Sequence, residues 1–288
     1  MEMKTDGTLD AFAQIPEFLK ANRRIVDGWI SQITSRITRV LFVAHGDWTT
    51  IRLFLEARKE KFLPPPTLYC LDSSSLTLQL AQKNLADVLP EEKLKMVHAD
   101  VRQLDCSQIG GCVDLVIWGN GIHCLSSKDQ DEAFRRIAEA LRQSGLFGFS
   151  TAFHEEARPE NTLPFYRRHV ALSMRTLKEK GITPDSRVGV TKTASFLPPS
   201  HYLALLESHR FRPVLTETLP VDTTLGFWEA VSSYYQYVSS TLPGYPTDEA
   251  VRALVKNADP ALEKCGKRYE NKNPFIRLDW FSVLAVKI

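Results

Sequence analysis

The sequence predicts an α/β chain built on a doubly wound, mostly parallel sheet with helices on both faces. Three observations predict it. Apolar runs of strand length alternate with amphipathic stretches of helix length from Arg39 to Phe153. Runs such as Val-Leu-Phe-Val at 40–43 and Leu-Val-Ile at 115–117 are apolar without alternation, as in strands covered on both sides. The 288 residues, 43% hydrophobic and 24% charged, suffice for one large α/β domain carrying insertions or for two modest domains.

The elements follow in order. Residues 9–36 place Phe12, Ile15, Phe18, Leu19, Ile25, Val26, Trp29, Ile30 and Ile33 at helical spacing, with Pro16 suited to a helix start. This predicts a pair of helices, or one broken helix, as an N-terminal helical cap over 1–38. "RVLFVA" is the first strand, followed by a helix from about Thr50 to Lys61. The prolines at 64–66 stop that segment and lead into "TLYCLD", the second strand. Serines 73–75 signal the next helix. "KLKMVHAD" and "VDLVIWGN" are the third and fourth strands. "SKDQDEAFRRIAEALRQSG" is a helix ending at Gly145, and "LFGFSTAF" is the fifth strand. The core thus spans 39–153. A first insertion, 154–195, carries a helix near 163–180. The rhythm resumes over 196–224 with a helix, "PPSHYLALLESHRF", and a strand, "RPVLTETLP". A second insertion covers 225–275 and is rich in aromatics: Phe227, Trp228, Tyr234, Tyr235 and Tyr237. "RLDWFSVLAVKI", within 276–288, is the last strand.

Composition narrows the function. Net charge is +2 with no long basic run, so nucleic acid is not an expected partner. The first twenty residues have mixed charge and no apolar core, so no signal peptide is expected, and no stretch approaches transmembrane length. Five cysteines without a CxxC pair predict reduced, structural thiols in a cytoplasmic protein and no metal site.

In an open parallel sheet ligands bind beyond the carboxyl ends of the strands. Those positions hold Ala44-His45-Gly46-Asp47-Trp48, Asp72-Ser73, Asp100-Val101 and Gly119-Asn120-Gly121-Ile122-His123. Asp72 is placed to accept hydrogen bonds from two ribose hydroxyls, and equally to cap the helix that follows. Asp100 is placed to accept from an adenine amino group, or is a solvated turn residue.

Together these stretches resemble the class I S-adenosylmethionine-dependent methyltransferases. In that family a D/E-x-G-x-G-x-G loop after strand one holds the methionine part of the cofactor. An acidic residue ending strand two holds the ribose, and A-D-x-x-x-L after strand three holds adenine. "LYCLDSSSLTLQLAQKNL" and "HADVRQLD" match the second and third patterns, and 113–153 resembles the strand-four and strand-five block. The resemblance covers roughly 36–153 and 196–224. It implies a Rossmann-like seven-stranded sheet with an antiparallel last strand and helical lid insertions. It also implies S-adenosylmethionine as cofactor, held by Ala44, His45, Gly46, Asp72, Ser73, Asp100, Val101 and Asn120. The sequence departs from the pattern in the loop: Phe42 stands at the acidic position, Ala44 and Trp48 at two glycine positions, and only Gly46 is kept. The Trp48 ring is expected to turn from the site into the helix–sheet interface.

His123 is placed either to deprotonate a methyl acceptor or to serve as a polar helix-start residue. Tyr166, Trp228 and Tyr235 suit an aromatic lid over a small acceptor, or an ordinary buried helix face. The expected function is methyl transfer to a small molecule, in the manner of secondary metabolism. A cyclase or isomerase on the same fold, and a silent binding partner, are the alternatives.

Overall fold

The computed structural model describes residues 15–33, 36–43, 48–158, 162–188, 196–269 and 273–288. In chain order the helices are α1 (Pro16–Ser31), α2 (Trp48–Glu60), α3 (Ser75–Leu85), α4 (Ser127–Ala140), α5 (Thr162–Glu179), α6 (Pro199–Ser208), α7 (Leu225–Ser233), α8 (Tyr235–Thr241) and α9 (Thr247–Cys265). The strands are β1 (Arg39–Val43), β2 (Thr67–Asp72), β3 (Leu94–His98), β4 (Val113–Gly119), β5 (Leu141–Thr151), β6 (Phe211–Thr223) and β7 (Ile276–Lys287). They form one sheet in the order β3-β2-β1-β4-β5-β7-β6. β1 to β5 pair in parallel, and β7 runs antiparallel against β5, the seven-stranded arrangement the sequence implied.

The chain divides into two compact units. One comprises the described parts of 20–155, 195–219 and 280–288; the other those of 1–19, 156–194 and 220–279. In the first, Leu41, Val43, Val116, Trp118, Phe147 and Phe149 share a core with α4 (Ala133, Phe134, Ile137) and α6 (Tyr202, Leu206). Alternation puts Phe42 on the opposite face, edge-to-face with Phe54 of α2 at 5.5 Å. Gly148 lies on β5 where α1 crosses, and a Cβ there would come within 3.3 Å of the Trp29 ring. Helices therefore cover both faces, which is why these strands read as unbroken apolar runs.

In the second unit Leu177, Val238, Leu242, Ala250, Ala253 and Leu254 make a helical core from α5, α8 and α9. Side chains of α5 bond backbone carbonyls of α9: His169 Nε2 meets Leu254 O at 2.7 Å and Ser173 Oγ donates to Ala253 O at 3.2 Å. Glu17, at the start of α1, accepts from Thr224 N (2.9 Å) and Thr224 Oγ1 (2.7 Å). The N-terminal segment and the second insertion thus belong to one packed body.

Three expectations need correction. α4 ends at Ala140 and not at Gly145. Leu141 pairs with Val113, Lys287 Nζ takes the Leu141 carbonyl at 2.7 Å, and the chain turns through Ser144 at φ 61° before Leu146 pairs with Leu115. Among the described residues the second insertion holds three helices, the longest being the unanticipated α9. Of the five cysteines, all free, only Cys70 is fully buried, where burial pushes its thiol up to about 12; Cys112 and Cys124 are exposed.

Asp114, at 4% exposure, fastens the amino ends of three strands. Its Oδ2 accepts from Thr38 N (2.6 Å), Thr38 Oγ1 (3.0 Å) and Arg39 N (2.9 Å), and its Oδ1 pairs with Arg142 Nε at 3.0 Å. Asp114→Ala leaves those donors unpaired in the interior, and we expect a loss of about 2–4 kcal/mol in urea unfolding. A midpoint within error of the wild type would show that β1 and β4 hold their register without it.

Candidate active site

The parallel register brings the predicted polar residues to one edge. Asp72 pairs with His98 across β2 and β3, and Ala99 N donates to Asp72 O at 3.1 Å. Asn120 N donates to Ser150 O at 2.8 Å, aligning the ends of β4 and β5. Asp72, Ser73, Asp100, Val101, Asn120 and His123 therefore stand at adjoining carboxyl ends. Ala44, His45, Gly46 and Asp47 lie outside the described residues.

Asp72 is not the helix cap. Ser74 caps α3, its Oγ accepting from Thr77 N at 3.3 Å. Asp72 sits one step earlier, with Oδ1 on the Ser74 amide at 2.8 Å. Burial raises its pKa, against the lowering effect of the Ser74 amide and the nearby His98. A carboxylate accepts about four hydrogen bonds, and the backbone amides of Ser73 and Ser74 use only part of that capacity. Ser73 is itself held by the His98 ring, whose Nε2 lies 3.0 Å from its carbonyl oxygen.

Asp100 is more fully engaged. It caps a short 3₁₀ turn, Val101–Gln103, accepting from Arg102 N at 2.8 Å. The Arg102 side chain closes a fork on both its oxygens, at 2.9 and 2.6 Å, and holds its carboxyl below the usual carboxylate range. Arg102 also reaches Asp129 of α4 at 3.2 Å. The Val101 side chain is buried in the core beneath this edge.

Asn120 takes a left-handed conformation, φ 48°, which asparagine tolerates better than most residues. Its Oδ1 accepts from Ala152 N at 2.9 Å, so the side chain's remaining offer is its amide hydrogens.

His123 lies in the 3₁₀ turn Ile122–Cys124 at 7% exposure. Its ring packs on Phe153 with centroids 4.3 Å apart, and its buried Nδ1 has no hydrogen-bond partner. Burial depresses its pKa to about 3, so the ring is neutral at pH 7. A base that weak is poorly matched to deprotonating an acceptor near neutrality. Of the two roles the sequence left open for His123, base or polar residue of the turn, the buried, neutral ring is the better suited to hydrogen bonding.

Phe42 and Trp48 explain part of the altered loop. Phe42 is consumed by the core against Phe54. Trp48 starts α2 half-buried, with the Arg52 guanidinium 5.5 Å from its ring. Arg52 is in turn tied to Asp87 (2.7 Å) and Asn84 O (2.7 Å) at the far end of α3. Through Arg52 the Trp48 ring is linked to the end of α3.

The aromatic candidates for a lid fall in the second unit. Trp228 is 0% exposed, packed on Phe165 (4.5 Å) and Tyr166 (5.3 Å), which makes it a core residue there. Arg158 lies 4.8 Å from the Tyr166 ring. Tyr235 is exposed.

One supporting residue escaped the sequence reading. Gln130 of α4 is 0% exposed, and its Nε2 donates to Ile122 O (3.1 Å) and Leu125 O (3.2 Å), bracketing the turn that carries His123. Its Oε1 meets His201 Nε2 at 3.1 Å. The available signal was a polar residue on the face otherwise made by Ala133, Phe134 and Ile137.

Among the described residues no group of acidic, histidine and cysteine side chains could hold a metal ion, and no helix is long and apolar enough to cross a membrane.

Residues 53–145 match a protein-family model described as a methyltransferase domain. This stretch of the core therefore resembles a methyltransferase domain, and the sheet has the Rossmann-like class I methyltransferase fold. Solved structures resembling this chain cover most of it at low identity. A candidate methyltransferase from Bacillus halodurans superposes with a TM-score of 0.56 at 12% identity, over 93% of this chain and 98% of that one. The [4+2]-cyclase SpnF gives 0.53 at 15%, over 93% and 82%. The magnesium protoporphyrin IX methyltransferase of Synechocystis, with bound S-adenosylhomocysteine, gives 0.50 at 12%, over 94% and 84%. No curated protein matches by sequence.

The depressed His123 pKa has a consequence for stability. The unfolded chain binds a proton at this ring near pH 6.5 and the folded chain near 3, so stability present above pH 6.5 is lost as pH falls toward 3. At pH 5 the loss from this one group is about 2 kcal/mol. Urea unfolding of wild type and His123→Gln at pH 7 and pH 5 should show a flatter pH dependence in the variant. Equal slopes would mean that the ring titrates normally.

Proposed function

We propose that the protein transfers a methyl group from S-adenosylmethionine to a small-molecule acceptor, of the kind met in secondary metabolism. The observation that carries this reading is Asp72: a half-buried carboxylate ending β2, relieved of helix capping by Ser74, with acceptor capacity left for two hydroxyls.

The described donor set fits the cofactor. Asp72 would take the ribose hydroxyls, with Ser73 fixed beside it by His98. Asp100 would accept from the adenine amino group through lone pairs left over from its Arg102 fork, and Val101 would flank the ring from its backbone. Asn120 would donate its amide hydrogens to the amino-acid end. Ala44, His45 and Gly46 would line the methionine part, with Gly46 where the backbone passes closest. The cofactor supplies an electrophilic methyl on a sulfonium centre.

The chain's own contribution is then placement and exclusion of water. Gln130 fixes the turn that presents His123. His123, neutral and with Nδ1 unpaired, would orient the acceptor by a hydrogen bond. An acceptor whose nucleophilic atom is already unprotonated at neutral pH suits this site better than one that must first surrender a proton to His123. The protein would act in the cytoplasm, without nucleic acid or membrane as partner.

A second reading keeps the fold and drops methyl transfer. Two observations favour it: Phe42 replaces the acid that would hold the methionine amino group, and a [4+2]-cyclase shares the fold.

Calorimetric titration with S-adenosylmethionine and S-adenosylhomocysteine tests the proposal. We expect binding of both, weakened in Asp72→Ala by about 1–3 kcal/mol, the cost of leaving two hydroxyls unpaired. A folded wild type that binds neither compound removes the methyltransferase reading. Equal affinity in the variant removes Asp72 from the site.

A further inference from the structure

The end of α2 carries three unusual features in one place. Phe62 is 96% exposed, the most exposed of the large apolar residues described. It also sits at φ 56°, in the left-handed region that a bulky side chain rarely adopts. The position is a helix C-cap: Phe62 N donates to Lys59 O at 3.0 Å and Leu63 N to Arg58 O at 2.9 Å, the pair of bonds that glycine normally closes. The fold would be served better by glycine here, so the phenyl ring needs a reason outside the fold.

The third feature supplies one. Beside Phe62 opens a cavity of about 750 Å³ with apolar walls from Leu55, Leu63, Pro64, Pro65 and Val88. Its floor is stiff, because the buried Arg58 guanidinium ties Pro64 O (2.7 Å) to Ile37 O (3.0 Å). Lys59 on one hand and Glu56 on the other also line it, Asp87 being already paired with Arg52, so in a two-fold contact Lys59 of each copy can face Glu56 of the other. Pro64 and Pro65 of its wall precede Thr67, where β2 begins, at the opposite end of that strand from Asp72.

We propose that this face is a self-association surface, on which Phe62 of one copy enters the cavity of a second copy and receives that copy's Phe62 in return. Knob and socket lie on the same patch, which is the requirement for a closed two-fold contact. The left-handed backbone at Phe62 is the cost of holding the ring out from the surface, and burial of the ring in the partner offsets it. The association leaves the carboxyl edge of the sheet open on both copies.

Sedimentation velocity on the full chain over a range of micromolar concentrations tests this. The wild type should shift from monomer to dimer as concentration rises. Phe62→Gly should remain monomeric at every concentration, and its melting temperature at the lowest concentration should equal or exceed the wild type's, because glycine fits the left-handed cap. Val88→Arg, which fills the socket, should also be monomeric. An equimolar mixture of the two variants retains one intact knob and one intact socket, and should dimerise more weakly than wild type. A wild type that stays monomeric throughout, or a Phe62→Gly variant that dimerises as tightly as wild type, overturns the proposal.

Discussion

One buried carboxylate sets the geometry on which the candidate site depends. Asp114 gathers the backbone amides of Thr38 and Arg39 and the guanidinium of Arg142, and so fastens the amino ends of β1, β4 and β5 to one point. Parallel strands rise at a common pitch, so a register fixed at one end is inherited at the other. Asp72, Asp100 and Asn120 come from three separate strand ends, and they serve one ligand only if that register holds. The ion pair with Arg142 is half-exposed and adds little by itself. The weight rests on the donors that would otherwise be left unpaired in the interior.

The same logic of committed hydrogen bonds runs along the carboxyl edge. His98 spends its ring on Ser73, Arg102 on Asp100, and Gln130 on the turn before α4. Each fixes a group that could face a ligand, Gln130 from the interior and His98 and Arg102 from the surface. The exception is His123, buried with one nitrogen unanswered. An unpaired polar atom in the interior is costly, and a bound molecule that completes it recovers part of that cost.

Much of the fold was legible because its strands are covered on both faces, which gives apolar runs that stand out from amphipathic helices. Asp72 and Asp100 were legible as acids ending β2 and following β3. The rest was hidden for identifiable reasons. The end of α4 depends on Lys287, almost 150 residues away in sequence, whose ammonium takes the Leu141 carbonyl. Trp228 reads equally as lid or core from spacing alone, and only its neighbours Phe165 and Tyr166 make it core. The weak basicity of His123 comes from burial, and burial of one histidine in a turn leaves no periodic trace. α9 was hidden because its buried face is largely alanine, Ala250, Ala253, Ala258 and Ala261, and alanine marks an apolar stripe only weakly.

The conformation of Asn120 also bears on how the protein ages. It is followed by Gly121, and an Asn-Gly pair is the dipeptide most prone to lose its side-chain amide. That reaction needs the glycine nitrogen to attack the asparagine's side-chain carbonyl carbon, which requires the side chain to fold back on its own backbone. Here Oδ1 is held by the Ala152 amide at 2.9 Å, and the left-handed φ of 48° fixes the chain around it. Conversion to aspartate or isoaspartate must wait for the junction of β4 and β5 to open, so the durability of this edge is set by local unfolding of the sheet.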